Sequence, residues 1–171
     1  MIGLIVLVIL GVFLWKLWAP GLTFVPGFAS LLEQPAGESG LWPFLRGVER
    51  IGGQYRGRPV VLIVHHKRGK NTLGYLTVAM QLVDAHAVSN GIEAPRERLR
   101  ETVGRDAWDE LELRHELKLS FADGWLKAMW QPGGFVIFPG RFEPERWGSV
   151  LRSMHAVVTS LEREAPVAPP R

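Results

Sequence analysis

The chain is expected to fold as an α+β protein: an N-terminal transmembrane helix, then an antiparallel β-rich domain with a C-terminal amphipathic helix. Three observations predict this. Residues Ile2 to Trp18 are almost wholly apolar, the middle of the chain alternates with period two between turn signals, and the region from Pro144 carries an apolar stripe at helical spacing. The expected divisions are a span over 1–19, an apolar connector over 20–47, a soluble α+β domain over 48–164 and an extended tail over 165–171.

Ile2 to Trp15 reads I-G-L-I-V-L-V-I-L-G-V-F-L-W, without a charge, and Pro20-Gly21 ends any helix that it starts. At 1.5 Å per residue, about eighteen residues cover about 27 Å, just enough for a hydrocarbon core near 30 Å. Lys16 can keep its methylenes in apolar surroundings while its ammonium reaches the headgroups. Trp15 and Trp18, on either side of it, suit the membrane–water interface. A cleaved signal peptide would carry Lys or Arg before the apolar run, and none precedes it. A buried core helix is rarely apolar on every face for this length. Lys16 follows the run, and Arg46, Arg50, Arg56 and Arg58 come later. The positive-inside rule then places the protein in the inner (cytoplasmic) membrane, N-terminus outside and soluble domain on the cytoplasmic side.

In the connector, Pro20, Pro26, Pro35 and Pro43 interrupt regular structure, with one short helical stretch expected over Phe28–Glu33. It is nevertheless too apolar for a solvated linker. Phe24, Phe28, Trp42 and Phe44 either contact the membrane surface or a partner subunit, or they cover the soluble domain's own core.

The soluble domain opens with extended segments at Gly53–Arg56 and Pro59–His66, turned at Gly57. The run P-V-V-L-I-V-H-H suits an interior strand, and Lys67-Arg68-Gly69-Lys70-Asn71 makes a polar turn into a second strand over Thr72–Leu82. Asp84–Gly91 reads as loop, and Ile92–Gly104 as a solvated piece. Leu111, Leu113, His115, Leu117, Leu119 and Phe121 alternate with polar residues, so a half-buried strand is expected there, although the residue types favour helix. Trp125–Trp130 and Phe135–Phe138 flank Gln131-Pro132-Gly133-Gly134, a second hairpin signal. From Pro144, Trp147, Val150, Leu151, Met154, Val157, Val158 and Leu161 form one stripe of an amphipathic helix.

Composition limits the chemistry. Among 171 residues 47% are hydrophobic and 22% charged, and the net charge of +3 is dispersed, so nucleic acid is not an expected partner. The chain has no cysteine, which removes disulfides, thiolate metal sites and cysteine nucleophiles. His65 and His66 are adjacent on a strand, point to opposite faces and cannot share a metal. His86, His115 and His155 have no local partner at helical spacing, and His115 reads as a core histidine. Asp106, Asp109, Glu110 and Glu112 sit among Arg105, Arg114 and Lys118, which reads as a solvated face. Ser120, Ser149, Ser153 and Ser160 lack the strand–turn–helix setting of an exposed nucleophile. No metal, cofactor or catalytic residue is therefore expected. Lys67, Arg68 and Lys70 could meet anionic headgroups or an acidic partner, at about 1 kcal/mol per charge.

The expected role is structural: a non-catalytic single-pass subunit that anchors or stabilises a larger membrane complex, with lipid and other membrane subunits as partners. The alternative is a membrane-tethered module that holds a lipid or small ligand between sheet and helix. The layout of Ile2–Trp18, the charge placement and the strands from Val48 to Phe138 resemble the H-type subunit of bacterial photosynthetic reaction centres. That resemblance is one of architecture, and it implies a subunit that caps a pigment–protein complex, without catalysis.

Overall fold

The computed structural model describes residues 7, 8, 11, 24–66, 74–82, 105–131 and 142–164. A helical turn at 24–29 (α1) leads to strand β1 (Glu33–Glu38), helix α2 (Leu41–Arg46) and strands β2 (Val48–Tyr55), β3 (Arg58–His65) and β4 (Tyr75–Gln81). Helix α3 (Arg105–Asp109) runs into a π-turn (Glu110–Arg114), followed by β5 (Lys118–Ala122), β6 (Trp125–Trp130) and the long α4 (Pro144–Glu164). The six strands form one antiparallel sheet in the order β1-β2-β3-β4-β6-β5.

Period-two alternation decides which side chains face α4. Val60, Leu62 and Val64 on β3 stand opposite Met80, Val78 and Leu76 on β4, and Val78 and Met80 stand opposite Ala128 and Leu126 on β6. All are buried. The α4 stripe, Trp147, Val150, Leu151, Met154, Val157, Val158 and Leu161, is buried throughout. Each large apolar side chain removed from water here contributes about 1.5–3 kcal/mol. At the far end of α4, Arg58 on β3 donates to both carboxylate oxygens of Glu162, at 2.7 and 2.6 Å. This bidentate pair fixes the helix over the β2–β3 hairpin.

Two turns are set by residues that tolerate positive φ. Arg56-Gly57 joins β2 to β3 with φ of 51° and 76°, and Asp123-Gly124 joins β5 to β6 with φ of 56° and 76°. Both are two-residue connections of the kind whose twist matches antiparallel strands.

The expected fold class needs correction at its N-terminal element. What the structure supports is the antiparallel sheet plus helices, and among the described residues no helix is long and apolar enough to cross a membrane. The one described helix of sufficient length, α4 at about 31 Å, carries Glu145, Arg152 and Arg163 at exposed positions, which lipid would not accept. Of the expected span only Leu7, Val8 and Gly11 are described; they are helical and exposed, and the rest lies outside the described residues. The resemblance to the H-type subunit rested on that span, most of which lies outside the described residues.

The strand expected over Leu111–Phe121 is also corrected. Residues 110–114 form a π-turn, with His115 N–H donating to the Glu110 carbonyl at 3.1 Å and Leu117 N–H to that of Leu111 at 3.0 Å. Glu116, at φ 55°, ends it, and the strand begins only at Lys118. The helix preference of Leu, Glu and Arg prevails, because the turn still buries Leu111, His115 and Leu117. Phe135–Phe138, the segments between 83 and 104, and the 165–171 tail lie outside the described residues.

The connector joins the domain rather than spacing it. Phe24 and Phe28 meet Trp147 edge-on, with centroids 5.4 and 6.1 Å apart, and Phe24 also meets Phe142 at 5.7 Å. Gly27 permits this clamp, since a Cβ there would lie 2.5 Å from the Phe142 ring. Gly27→Ala is expected to cost about 1–3 kcal/mol by overpacking, and Phe142→Leu added to it should recover part of the loss. Urea unfolding of the three proteins measures this; equal, additive losses would contradict the clamp.

Candidate functional site

The residues singled out from sequence separate in the structure. Phe24 and Phe28 are core side chains, which favours the domain-covering reading for them. Trp42 is the opposite, 73% exposed. Phe44 belongs to α2, but its side chain lies outside the described residues, as do Trp15, Lys16, Trp18, Lys67, Arg68 and Lys70. His66, which precedes that stretch in sequence, donates its N–H to the Gly47 carbonyl at 2.9 Å, at the corner where α2 meets β2.

That corner is built from α2 and the first residues of β2. Trp42 and Arg46 lie one helical turn apart and so share a face of α2. Val48, 43% exposed, and Arg50 alternate outward on β2, and the two arginines with Val48 border an open groove of about 580 Å³ floored by Ala36, Gly37, Gly52 and Val61. Leu45 is about half exposed beside them. Strand β1, E-Q-P-A-G-E, is exposed along its whole length and bulged between Glu33 and Ala36. Proline and a bulge make it a poor edge for further strand pairing.

Beneath the corner the same alternation turns Glu49 inward, to 1% exposure. Its Oε1 accepts from Gly40 N–H at 3.0 Å and its Oε2 lies 2.8 Å from His66 Nε2. The pair thus ties both ends of the α2 segment to the sheet. The adjacent His65 faces the other way and stacks on Tyr75 across β3–β4, with centroids 4.1 Å apart, in keeping with opposite faces for adjacent strand residues. Burial, and next the neighbouring His66, hold the His65 imidazole below its ordinary range. Sequence reasoning missed Glu49. The signal was V-E-R-I, whose alternation puts Glu49 on the same face as Ile51.

A second cluster joins the π-turn to α4. Glu110 Oε1 accepts from Ser149 Oγ at 3.0 Å and from Arg114 Nη1 at 2.9 Å, and lies 3.4 Å from His115 Nε2. Burial pushes the His115 imidazole down, against the pull of Glu110. For Glu110 burial acts upward, but the hydrogen bonds from Ser149 and Arg114 outweigh it and the carboxyl lies low. Arg146 donates to the His115 carbonyl at 3.3 Å while its guanidinium stands over Trp130 and Trp147, at 5.4 and 5.8 Å. An open cleft of about 1300 Å³ runs past these groups.

Serine, histidine and carboxylate here are in the wrong order for a nucleophile. Activation needs the imidazole between hydroxyl and carboxylate, whereas Glu110 occupies the middle and takes the serine's proton-donating bond itself. Glu110 is also not simply part of a solvated face, as its neighbours suggested; it bridges two elements. His115 is buried as expected, but on a helical turn. Among the described residues no three His, Asp or Glu side chains are grouped to hold a metal.

Removing one partner of a buried hydrogen-bonded pair strands the other. Glu49→Ala is therefore expected to cost about 1–3 kcal/mol, and Glu49→Leu/His66→Leu to regain most of it. Denaturation of the singles and the double closes the cycle, and additive losses would contradict a coupled pair. Comparison with known proteins leaves geometry as the only guide: no family model, curated protein or solved structure matches the chain.

Proposed function

We propose that the protein is a non-catalytic accessory subunit that stabilises a larger membrane-associated assembly, with the α2 corner as its outward contact. The exposure of Trp42 carries this reading. A tryptophan presents one of the largest apolar surfaces of any side chain, and at 73% exposure it gains nothing from the fold that holds it. Exposed aromatic side chains beside arginines are the composition of contact surfaces.

The use of buried polar groups to join one element to another supports the same reading. Glu49 accepts from Gly40 N–H and lies 2.8 Å from His66 Nε2, which joins the α2 segment to the sheet. Ser149 serves Glu110. The alternative, a ligand held between sheet and helix, receives no support from packing: Leu62, Val78, Met80, Leu151, Met154 and Val158 fill that space and are all fully buried.

Sizing the native particle tests the proposal. Extraction of the producing cells in mild detergent should yield a particle well above the 19.2 kDa of the chain, containing other subunits in fixed ratio. A lone chain, with or without a bound lipid, would contradict the accessory role.

A further inference from the structure

We infer that the α2 corner docks on an anionic lipid surface. This deepens the accessory reading, on which it rests, by naming what the corner touches. The combination of groups points to a bilayer's headgroup zone. An indole has an apolar body for the outer acyl region and an N–H for the headgroup acceptors. A guanidinium meets a phosphate with two parallel hydrogen bonds. Trp42 and Arg46 share one face of α2, and Val48 and Arg50 carry that face onto β2, so apolar and cationic groups alternate along a single margin.

Charge favours an anionic layer. Arg46 and Arg50 border the groove with one carboxylate, Glu38, and neither guanidinium is in an ion pair with a described residue. The other strongly exposed apolar side chain of the folded domain, Leu113, lies instead among Glu110, Glu112 and Arg114, where no positive excess exists. Size favours lipid over protein. A stable protein interface takes roughly 20–30 residues a side, whereas reversible lipid contact needs only a few interfacial side chains and nearby cations. The Glu49–His66 pair holds the corner in place, since both its anchor points, Gly40 N–H and the strand end at His66, flank α2.

The chain has no cysteine, so one introduced thiol reports on one place. Full-length protein with Ser39→Cys, three residues before Trp42 and exposed, is labelled with a polarity-sensitive fluorophore. It is then mixed with vesicles of phosphatidylcholine alone or of equimolar phosphatidylcholine and phosphatidylglycerol. A blue shift confined to the anionic vesicles is expected. Arg46→Gln/Arg50→Gln should weaken it roughly thirtyfold, Trp42→Ser should abolish it, and added salt should reduce it. The same label at Leu113→Cys should not shift. Equal shifts in both vesicle types, an equal shift at Leu113, or no shift with the anionic vesicles would overturn the inference. Native-particle size does not depend on this result, so the lipid contact and the accessory role fail separately.

Discussion

Everything in this domain depends on the apolar stripe of α4 lying across one face of the sheet. A sheet with a single apolar face cannot bury it alone, and β2, β3, β4 and β6 each turn alternate side chains toward the same helix. Leu151, Met154 and Val158 close over Leu62, Val78 and Met80, while Trp147 extends the stripe far enough to catch Phe24 and Phe28. The N-terminal turn therefore shares the core of a helix more than a hundred residues away in sequence. Arg58 and Glu162 close the opposite end, where the apolar stripe runs out.

Polar groups appear in this framework where elements must be joined without apolar side chains. The loop from β1 to β2 has little to bury, and Glu49 secures it by reaching back to Gly40 and across to His66. The π-turn is likewise fastened to α4 through Glu110, Ser149 and Arg146. Both sets attach one element to another through side chains of high polarity. What the framework leaves outward is the α2 corner, held firmly from beneath and apolar on top. An exposed tryptophan on a helix tied down at both ends suits a contact surface, because little backbone freedom is lost when it binds.

How much of this was legible in the sequence follows from the range of the interactions. The α4 stripe needs only a local period, and every residue assigned to it is buried. The turn at Gly57 is equally local, although the structure makes it from Arg56-Gly57 and starts the next strand at Arg58. Asp123-Gly124 carries the same kind of signal, and it is the turn between β5 and β6. At 111–117 two periods compete, since Leu111 and His115 satisfy either, and the helical one prevails over the expected strand. β1 had no pattern to read, because E-Q-P-A-G-E buries nothing and is a strand only by pairing with β2. At the corner, sequence named Trp42 together with Phe24 and Phe28 as candidate contacts. Only packing against Trp147 separates the core residues from the exposed one. The apolarity of the first residues is a property of composition, and among the described residues it has no counterpart as a membrane-crossing helix.

The central claim is that α1, the sheet and α4 form one cooperative core. Native-state hydrogen exchange under increasing denaturant measures it directly, because units that open together converge on one free energy. The amides of Leu32, Leu62 and Met154 should merge on a common opening free energy equal to that of global unfolding. Exchange of Met154 through a separate, lower-energy opening while Leu62 stays protected would contradict it.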